Sequence, residues 1–237
     1  MSNTYFQFKQ FLINQEQCAM KVCTDACILG AWFAAKVPDR SLILDIGSGT
    51  GLLMMMMAQK SNAEIHGIEL DLSAYRQLKE NIGQNSWKER LKAFPGDARS
   101  FVFPDKYDFI ISNPPFFEND LLSDSHEEQI AKHSKQLTLD ELVTIIDNNL
   151  QPYGGFGILL PFHRWEYFNK LALTKGFHLT EKLFLRQSPK HNYFRAILHY
   201  SRSKENFVPE FELMIQQEDA QYTPEFVELM KEYYLNL

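Results

Sequence analysis

At 237 residues, 45% of them hydrophobic and 23% charged, the chain is long enough for one large domain with a buried core and has an ordinary globular composition. The longest apolar run, Leu52 to Ala58, is far short of the roughly 18 residues a membrane span needs, and the polar, aromatic start from Met1 to Gln10 lacks a signal-peptide pattern. A cytoplasmic protein without membrane contact is expected. The net charge of −6 weighs against a nucleic-acid partner, because nucleic-acid binders usually carry basic surface. One local exception is Arg186, Lys190, His191 and Arg195, with Tyr193 and Phe194 among them and Arg202 and Lys204 following, whereas acids gather between Glu205 and Glu232.

Polar and aromatic residues open the chain, followed by Cys18, Cys23 and Cys27. An odd number of cysteines at these spacings gives neither a disulfide framework nor a zinc pattern, so buried thiols and no metal are expected. Next comes an alternation of periods. Leu42 to Ile46 is a short apolar run, a buried parallel strand. Leu52 to Gln59 reads as helix and Ile65 to Glu69 as strand. Ser73 to Asn85 is a helix, with Ser73 as its expected N-cap and Ala74, Leu78 and Ile82 on one face. Leu91 to Gly96 and Tyr107 to Ser112 are strands, Thr138 to Leu150 a helix, Phe156 to Leu160 a strand and His163 to Lys175 a helix. Leu179 to Leu185 and Phe194 to Ser201 form a closing antiparallel pair. Strands alternating with helices predict an α/β fold, an open and mostly parallel sheet covered on both faces. In such sheets the ligand lies beyond the carboxyl ends of the strands.

Motifs follow those ends in turn. After the first strand, Asp45-Ile46-Gly47-Ser48-Gly49-Thr50-Gly51 places glycines at alternate positions, where they allow positive φ and close approach of a ligand to the backbone. A pyrophosphate site would instead space its glycines G-x-G-x-x-G. After the second strand come Glu69 and Leu70; a carboxylate there can accept both hydroxyls of a ribose. It would repel a pyrophosphate but tolerate a sulfonium. After the third strand, Asp97 precedes Ala98 and can accept from an adenine amino group. Turn, ribose acid and base-reading acid after three successive strands resemble the class I S-adenosylmethionine methyltransferases, a Rossmann-like fold with a mostly parallel seven-stranded sheet.

The fourth strand ends in Ser112-Asn113-Pro114-Pro115-Phe116. Two prolines stiffen the backbone and remove two N–H donors, leaving carbonyls beside the Asn113 amide as a cup for both hydrogens of an –NH₂ group. Phe116 can stack on a base, worth roughly 1–3 kcal/mol. A base inside a duplex cannot reach such a cup and must be splayed or flipped out. Phe117 to Gln136, with Glu127, Glu128 and His133, lacks periodicity and reads as a substrate lid.

The N-P-P-F resembles the motif of amino methyltransferases acting on adenine, guanine or glutamine. With Phe6 to Phe11, Cys18 to Trp32, Leu137-Thr138-Leu139, Tyr222 to Phe226 and Tyr234-Leu235, the chain resembles the bacterial tRNA(Val) adenine-N6 methyltransferases over nearly its whole length. That resemblance implies transfer of a methyl group from S-adenosylmethionine to N6 of the adenine 3′ of the anticodon, leaving S-adenosylhomocysteine. It also implies donor contacts from Lys21 and Thr24 and RNA-facing roles for Arg186, Lys190 and Arg195; a monomer is expected. The domain division it implies is an N-terminal extension over 1–35 serving as cofactor lid, a catalytic core over 36–205 and a C-terminal extension over 206–237. Cys23 and Ala26 stand where glycines are expected in relatives. Three other readings are a guanine-N2 methyltransferase of ribosomal RNA, a protein glutamine N5-methyltransferase, and an S-adenosylmethionine-binding protein without catalysis.

Overall fold

The computed structural model describes residues 3–18, 20–115 and 137–237. The strands are β1 (Tyr5–Gln7), β2 (Leu12–Asn14), β3 (Leu42–Ile46), β4 (Glu64–Glu69), β5 (Leu91–Pro95), β6 (Tyr107–Ser112), β7 (Leu150–Pro161), β8 (His178–Arg186), β9 (Tyr193–Ser201) and β10 (Glu210–Met214). The helices are α1 (Thr24–Ala34), α2 (Leu52–Lys60), α3 (Leu72–Gly83), α4 (Leu139–Asn149), α5 (Trp165–Thr174) and α6 (Pro224–Met230). β1 and β2 form a separate hairpin, and the remaining strands form one sheet in the order β10-β8-β9-β7-β6-β3-β4-β5. From β5 to β7 all pairings are parallel, while β9 runs antiparallel to both β7 and β8. Strand order reverses at β3, which has β4 on one side and β6 on the other, so the crevice for a ligand opens beyond Ile46 and Ser112.

The sheet has eight strands among the described residues, one more than expected. The extra strand, β10, pairs parallel with β8 at the edge. Its sequence, Glu-Phe-Glu-Leu-Met, buries only Leu213 fully, so its alternation is too faint to read. The N-terminal cap of α3 also differs. Asp71, not Ser73, accepts the free amides of the first turn, from Ser73 N at 2.9 Å and Ala74 N at 2.8 Å. By contrast α4 has a full capping box, Thr138 with Glu141.

Each sheet face has its own core. Ile43, Ile65, Phe109, Leu159 and Ile197 face α1, α2 and α3, together with the two chain termini. Leu44, Ile110, Ile158 and Leu198, one residue along each strand, face α4 and α5. Helix α1 is apolar nearly all round because it is enclosed by α2, β7 and α6. Gly30 permits the crossing with α2, since a Cβ there would lie 2.7 Å from Met56 Sδ. The termini close over this layer together. Phe8 bridges to Tyr234, Lys9 N donates to Tyr233 O at 2.8 Å, and the Tyr233 hydroxyl donates to Met56 O at 3.0 Å.

Candidate active site

A cavity of about 780 Å³ opens at the carboxyl ends of β3, β4, β5 and β6. Its floor is the turn after β3. Gly47 and Gly49 adopt φ of 77° and 54°, and a Cβ on either would meet open space. Their bare backbone therefore faces the cavity. Ser48 turns inward, its hydroxyl donating to Asp45 O at 3.0 Å. Gly51 serves packing instead: it is the left-handed N-cap of α2, and a Cβ would lie 2.5 Å from Leu78. It is absent from the cavity wall, whereas Thr50 is part of it. Asn81 holds the turn from below, donating to Thr50 O at 3.0 Å while bonding both backbone groups of Asn14 in the N-terminal hairpin.

Glu69, at the end of β4, braces the turn. Its carboxylate accepts from Gly49 N at 2.8 Å and from Asp71 N at 2.8 Å. A carboxylate has about four acceptor positions, so two remain for a ligand. Leu70, Asp71 and Leu72 continue the wall. After β5, Asp97 and Ala98 line the cavity, but Asp97 is engaged by Arg99. The guanidinium donates to both of its carboxylate oxygens at 2.6–3.0 Å, and Arg99 N donates to Oδ1 at 2.9 Å. These hydrogen bonds hold the Asp97 carboxyl below the usual range. Any other donor must displace one of them.

Asp45 is the exception among the acids. It is fully buried on β3, beside Gly67 and Ile111, and neither carboxyl oxygen has a hydrogen-bond partner among the described residues. Burial, and then the charge of Glu69, pushes its pKa up to about 8. Its side chain lies behind the cavity wall, which at this strand end consists of Ile46 and Gly47.

At the transfer end, Ser112 Oγ donates to Ile46 O at 2.8 Å and ties β6 to β3 across the crevice. Asn113, Pro114 and Pro115 line the cavity directly beyond. Asn113 Nδ2 lies 3.9 Å from Met20 Sδ, and Asn113 Oδ1 is buried without a hydrogen-bond partner among the described residues. Phe116 and the segment 117–136, with Glu127, Glu128 and His133, lie outside the described residues.

The segment before α1 forms the opposite wall through Met20, Lys21, Val22 and Cys23. Lys21 Nζ also donates to Asn3 O at 3.1 Å. Thr24 does not line the cavity; it opens α1 and hydrogen-bonds the Tyr234 side chain at the C-terminal clasp. Of the cysteines, only Cys27 is fully buried, while Cys18 and Cys23 are half-buried and reach the cavity. Burial, with Asp25 beside it, pushes the Cys23 thiol up to about 12, so it stays protonated.

The expected RNA-facing cations divide. Arg195 Nε donates to Asp25 Oδ2 at 2.8 Å, tying β9 to α1, and Arg186 pairs with Glu212. Lys190 is exposed. Arg202, which pairs with Asp147, and Lys204 sit at the opposite end of the sheet from the cavity.

Residues 27–178 match the model of the methyltransferase small domain family. The tRNA1(Val) (adenine(37)-N6)-methyltransferase of Dyadobacter fermentans is 44% identical, covering 98% of this chain and 98% of its own. The protein of the same name from Phocaeicola vulgatus is 36% identical over the whole of both chains. Among solved structures, a methyltransferase from Pyrococcus furiosus superposes with a TM-score of 0.59 at 14% identity, over 81% of this chain and 90% of its own. The glycopeptide N-methyltransferase MtfA, complexed with sinefungin, does so with a TM-score of 0.57 at 11% identity, over 77% and 89%. These two likenesses concern the fold.

Proposed function

The chain belongs to the tRNA1(Val) (adenine(37)-N6)-methyltransferase family, and from that membership we propose which of its residues carry the reaction. It transfers a methyl group from S-adenosylmethionine to N6 of an adenine in tRNA, leaving S-adenosylhomocysteine. The adenine we assign is number 37 of tRNA1(Val), by likeness to its relatives. We assign the activity to a monomer working where tRNA is processed, in the cytoplasm.

The cavity suits the donor. Its volume of about 780 Å³ lies within the range of small-molecule sites. Gly47 and Gly49 present bare backbone, Glu69 keeps two acceptor positions for the ribose hydroxyls, and Leu70 and Ala98 give apolar wall for the adenine. Asp97 takes the adenine amino group in place of one of the Arg99 bonds, and Lys21 takes the carboxylate of the methionine end. Asp45 lies one layer behind, where a cationic ligand lowers the cost of its ionisation. When bound, the donor supplies an electrophilic methyl group whose sulfonium leaves as a neutral thioether; the methylated, now acidic N6 then loses its proton to water, so no strong base is needed.

The protein's own contribution is alignment. The lone pair of an aromatic amine is delocalised into the ring and is a weak nucleophile. Asn113 Oδ1 accepts one N6–H and the Pro114 carbonyl the other, which draws the nitrogen toward tetrahedral geometry and aims the lone pair. Positioning of this kind is worth about 7–11 kcal/mol of barrier. The observation that carries this reading is that Asn113, whose buried Oδ1 has no hydrogen-bond partner among the described residues, lines the same cavity as Glu69 and Asp97. Labelled S-adenosylmethionine, incubated with tRNA from a strain lacking the gene and digested to nucleosides, tests the assignment. N6-methyladenosine is the expected labelled nucleoside and a different labelled nucleoside refutes the reaction; oligonucleotide mapping of purified tRNA1(Val) should then place the label at position 37, and label elsewhere refutes the position.

A further inference from the structure

We propose that tRNA phosphates are held by Arg164 and Lys190, with His163 and His191 beside them, and not by Arg186 and Arg195. The inference rests on the tRNA reading above and adds a docking track to it. Register defines the track: Ser112 of β6 pairs with Ile158 of β7, Pro161 of β7 with Arg195 of β9, and Tyr193 of β9 with Arg186 of β8. The ends of these strands therefore lie side by side along the edge that carries Asn113. At strand spacings of about 4.8 Å, β8 is roughly 14 Å from β6.

Two turns project from this edge, the single helical turn Phe162–Arg164 after β7 and the turn at 187–192 between β8 and β9. They carry His163 and Arg164, and Lys190 and His191. Arg164 and Lys190 make no ion pair with any acid among the described residues, and His163, Lys190 and His191 are exposed. The Arg164 guanidinium lies 5.4 Å from the ring of Tyr167, whose hydroxyl donates to Asp140. Contact through the ring face leaves the in-plane N–H donors for phosphate oxygens. Phe162 fixes the first turn from below, 4.9 Å from the ring of Phe184 and 5.1 Å from that of Tyr193.

Arg186 and Arg195, in contrast, are already neutralised by Glu212 and Asp25. A phosphate there would compete with an intramolecular acid. In a chain of net charge −6, cations without acid partners among the described residues, on turns at the same end of the sheet as the amine cup, match a polyanion entering the site.

The test uses the full chain and a tRNA transcript. Arg164→Ala combined with Lys190→Ala should raise KM for tRNA by about tenfold or more near 0.1 M salt. It should also flatten the slope of log K against log salt by about 1.4–1.8, from 0.7–0.9 per lost contact. KM for S-adenosylmethionine and the melting temperature should not move. Arg186→Ala and Arg195→Ala should lower the melting temperature and keep the wild-type slope. An unchanged slope in the double variant, with wild-type methylation of tRNA intact, overturns the track alone, as does a slope change confined to the Arg186 and Arg195 variants. Wild-type protein that methylates no tRNA overturns the functional reading itself.

Discussion

The two ends of the cavity differ in how their polar groups are spent. At the donor end Glu69 braces Gly49 and Asp71, and Asp97 is held by Arg99, so these two wall acids are oriented by the protein's own hydrogen bonds, while Asp45 behind the wall has none among the described residues. At the transfer end Asn113 Oδ1 is buried with no partner among the described residues. A buried acceptor left unmade costs about 1–3 kcal/mol. The donor end is thus built to hold a shape, and the transfer end carries an unmet acceptor that an amine can satisfy.

The sharpest way to break this contrast is Asn113→Ala. If the orphan oxygen aligns the amine, turnover should fall by about 10²–10³, the scale seen when a single preorganised transition-state hydrogen bond is removed. Affinity for S-adenosylmethionine, measured by calorimetry, should stay within about threefold, under 1 kcal/mol. Turnover within tenfold of wild type would show that the cup does not align the amine.

Asp45 probes the donor end through pH. Its folded pKa of about 8 is above the roughly 3.9 of an unfolded aspartate. The folded state therefore binds the extra proton between these values, and stability is lost as pH rises toward 8. Asp45→Asn keeps the shape and removes the charge. At pH 8–9 the variant should be the more stable protein by about 2 kcal/mol, what remains after relaxation relieves part of a buried-charge penalty. The difference should vanish near pH 4. Thermal melts across this range decide it, and a wild type as stable as the variant at pH 9 would mean Asp45 ionises without cost.

Glu69→Ala removes a brace and, on the proposed reading, the ribose acceptor. Charge-assisted hydrogen bonds are worth about 1.5–3 kcal/mol each, so loss of about 2 kcal/mol should raise the dissociation constant for S-adenosylmethionine roughly 30-fold. Turnover at saturating donor should be kept within a few-fold. A large loss of turnover at saturation would mean the two ends of the cavity are not separable.

What was legible in the sequence follows the same division. Strands β3 and β6 are found where the apolar runs at Leu42 to Ile46 and Tyr107 to Ser112 place them, because a strand buried on both faces is a run with no competing period. Helix α1 was not legible. Surrounded by α2, β7 and α6, it has no polar face, so no helical stripe appears. β10 depends on pairing with β8, and α6 on packing against α1 and β10, which a local pattern does not encode. Gly47, Gly49, Glu69 and Asn113 line the cavity at the strand ends where the sequence set them, the glycines marked by the positive φ of the turn. Arg99 and Met20 reach the cavity through tertiary placement alone. In the basic segment the sequence counts charges, whereas the structure pairs Arg186 with Glu212 and Arg195 with Asp25, acids 26 and 170 residues away.

The smallest effect separates shape from binding within the donor end. Asp71 lines the cavity and also caps α3, accepting from Ser73 N and Ala74 N. Asp71→Ala should cost about 1 kcal/mol of stability, the usual price of losing an N-cap, or a melting-temperature drop of about 2–4 °C for a chain of this length. Asp71→Asn and Asp71→Ser keep a capping oxygen and should recover most of that loss. If affinity for S-adenosylmethionine follows melting temperature through this series, Asp71 acts by holding Glu69 and the start of α3 in place. If Asp71→Asn restores stability yet leaves affinity low, the carboxylate itself touches the donor, and the donor end contains a third ligand-facing acid beside Glu69 and Asp97.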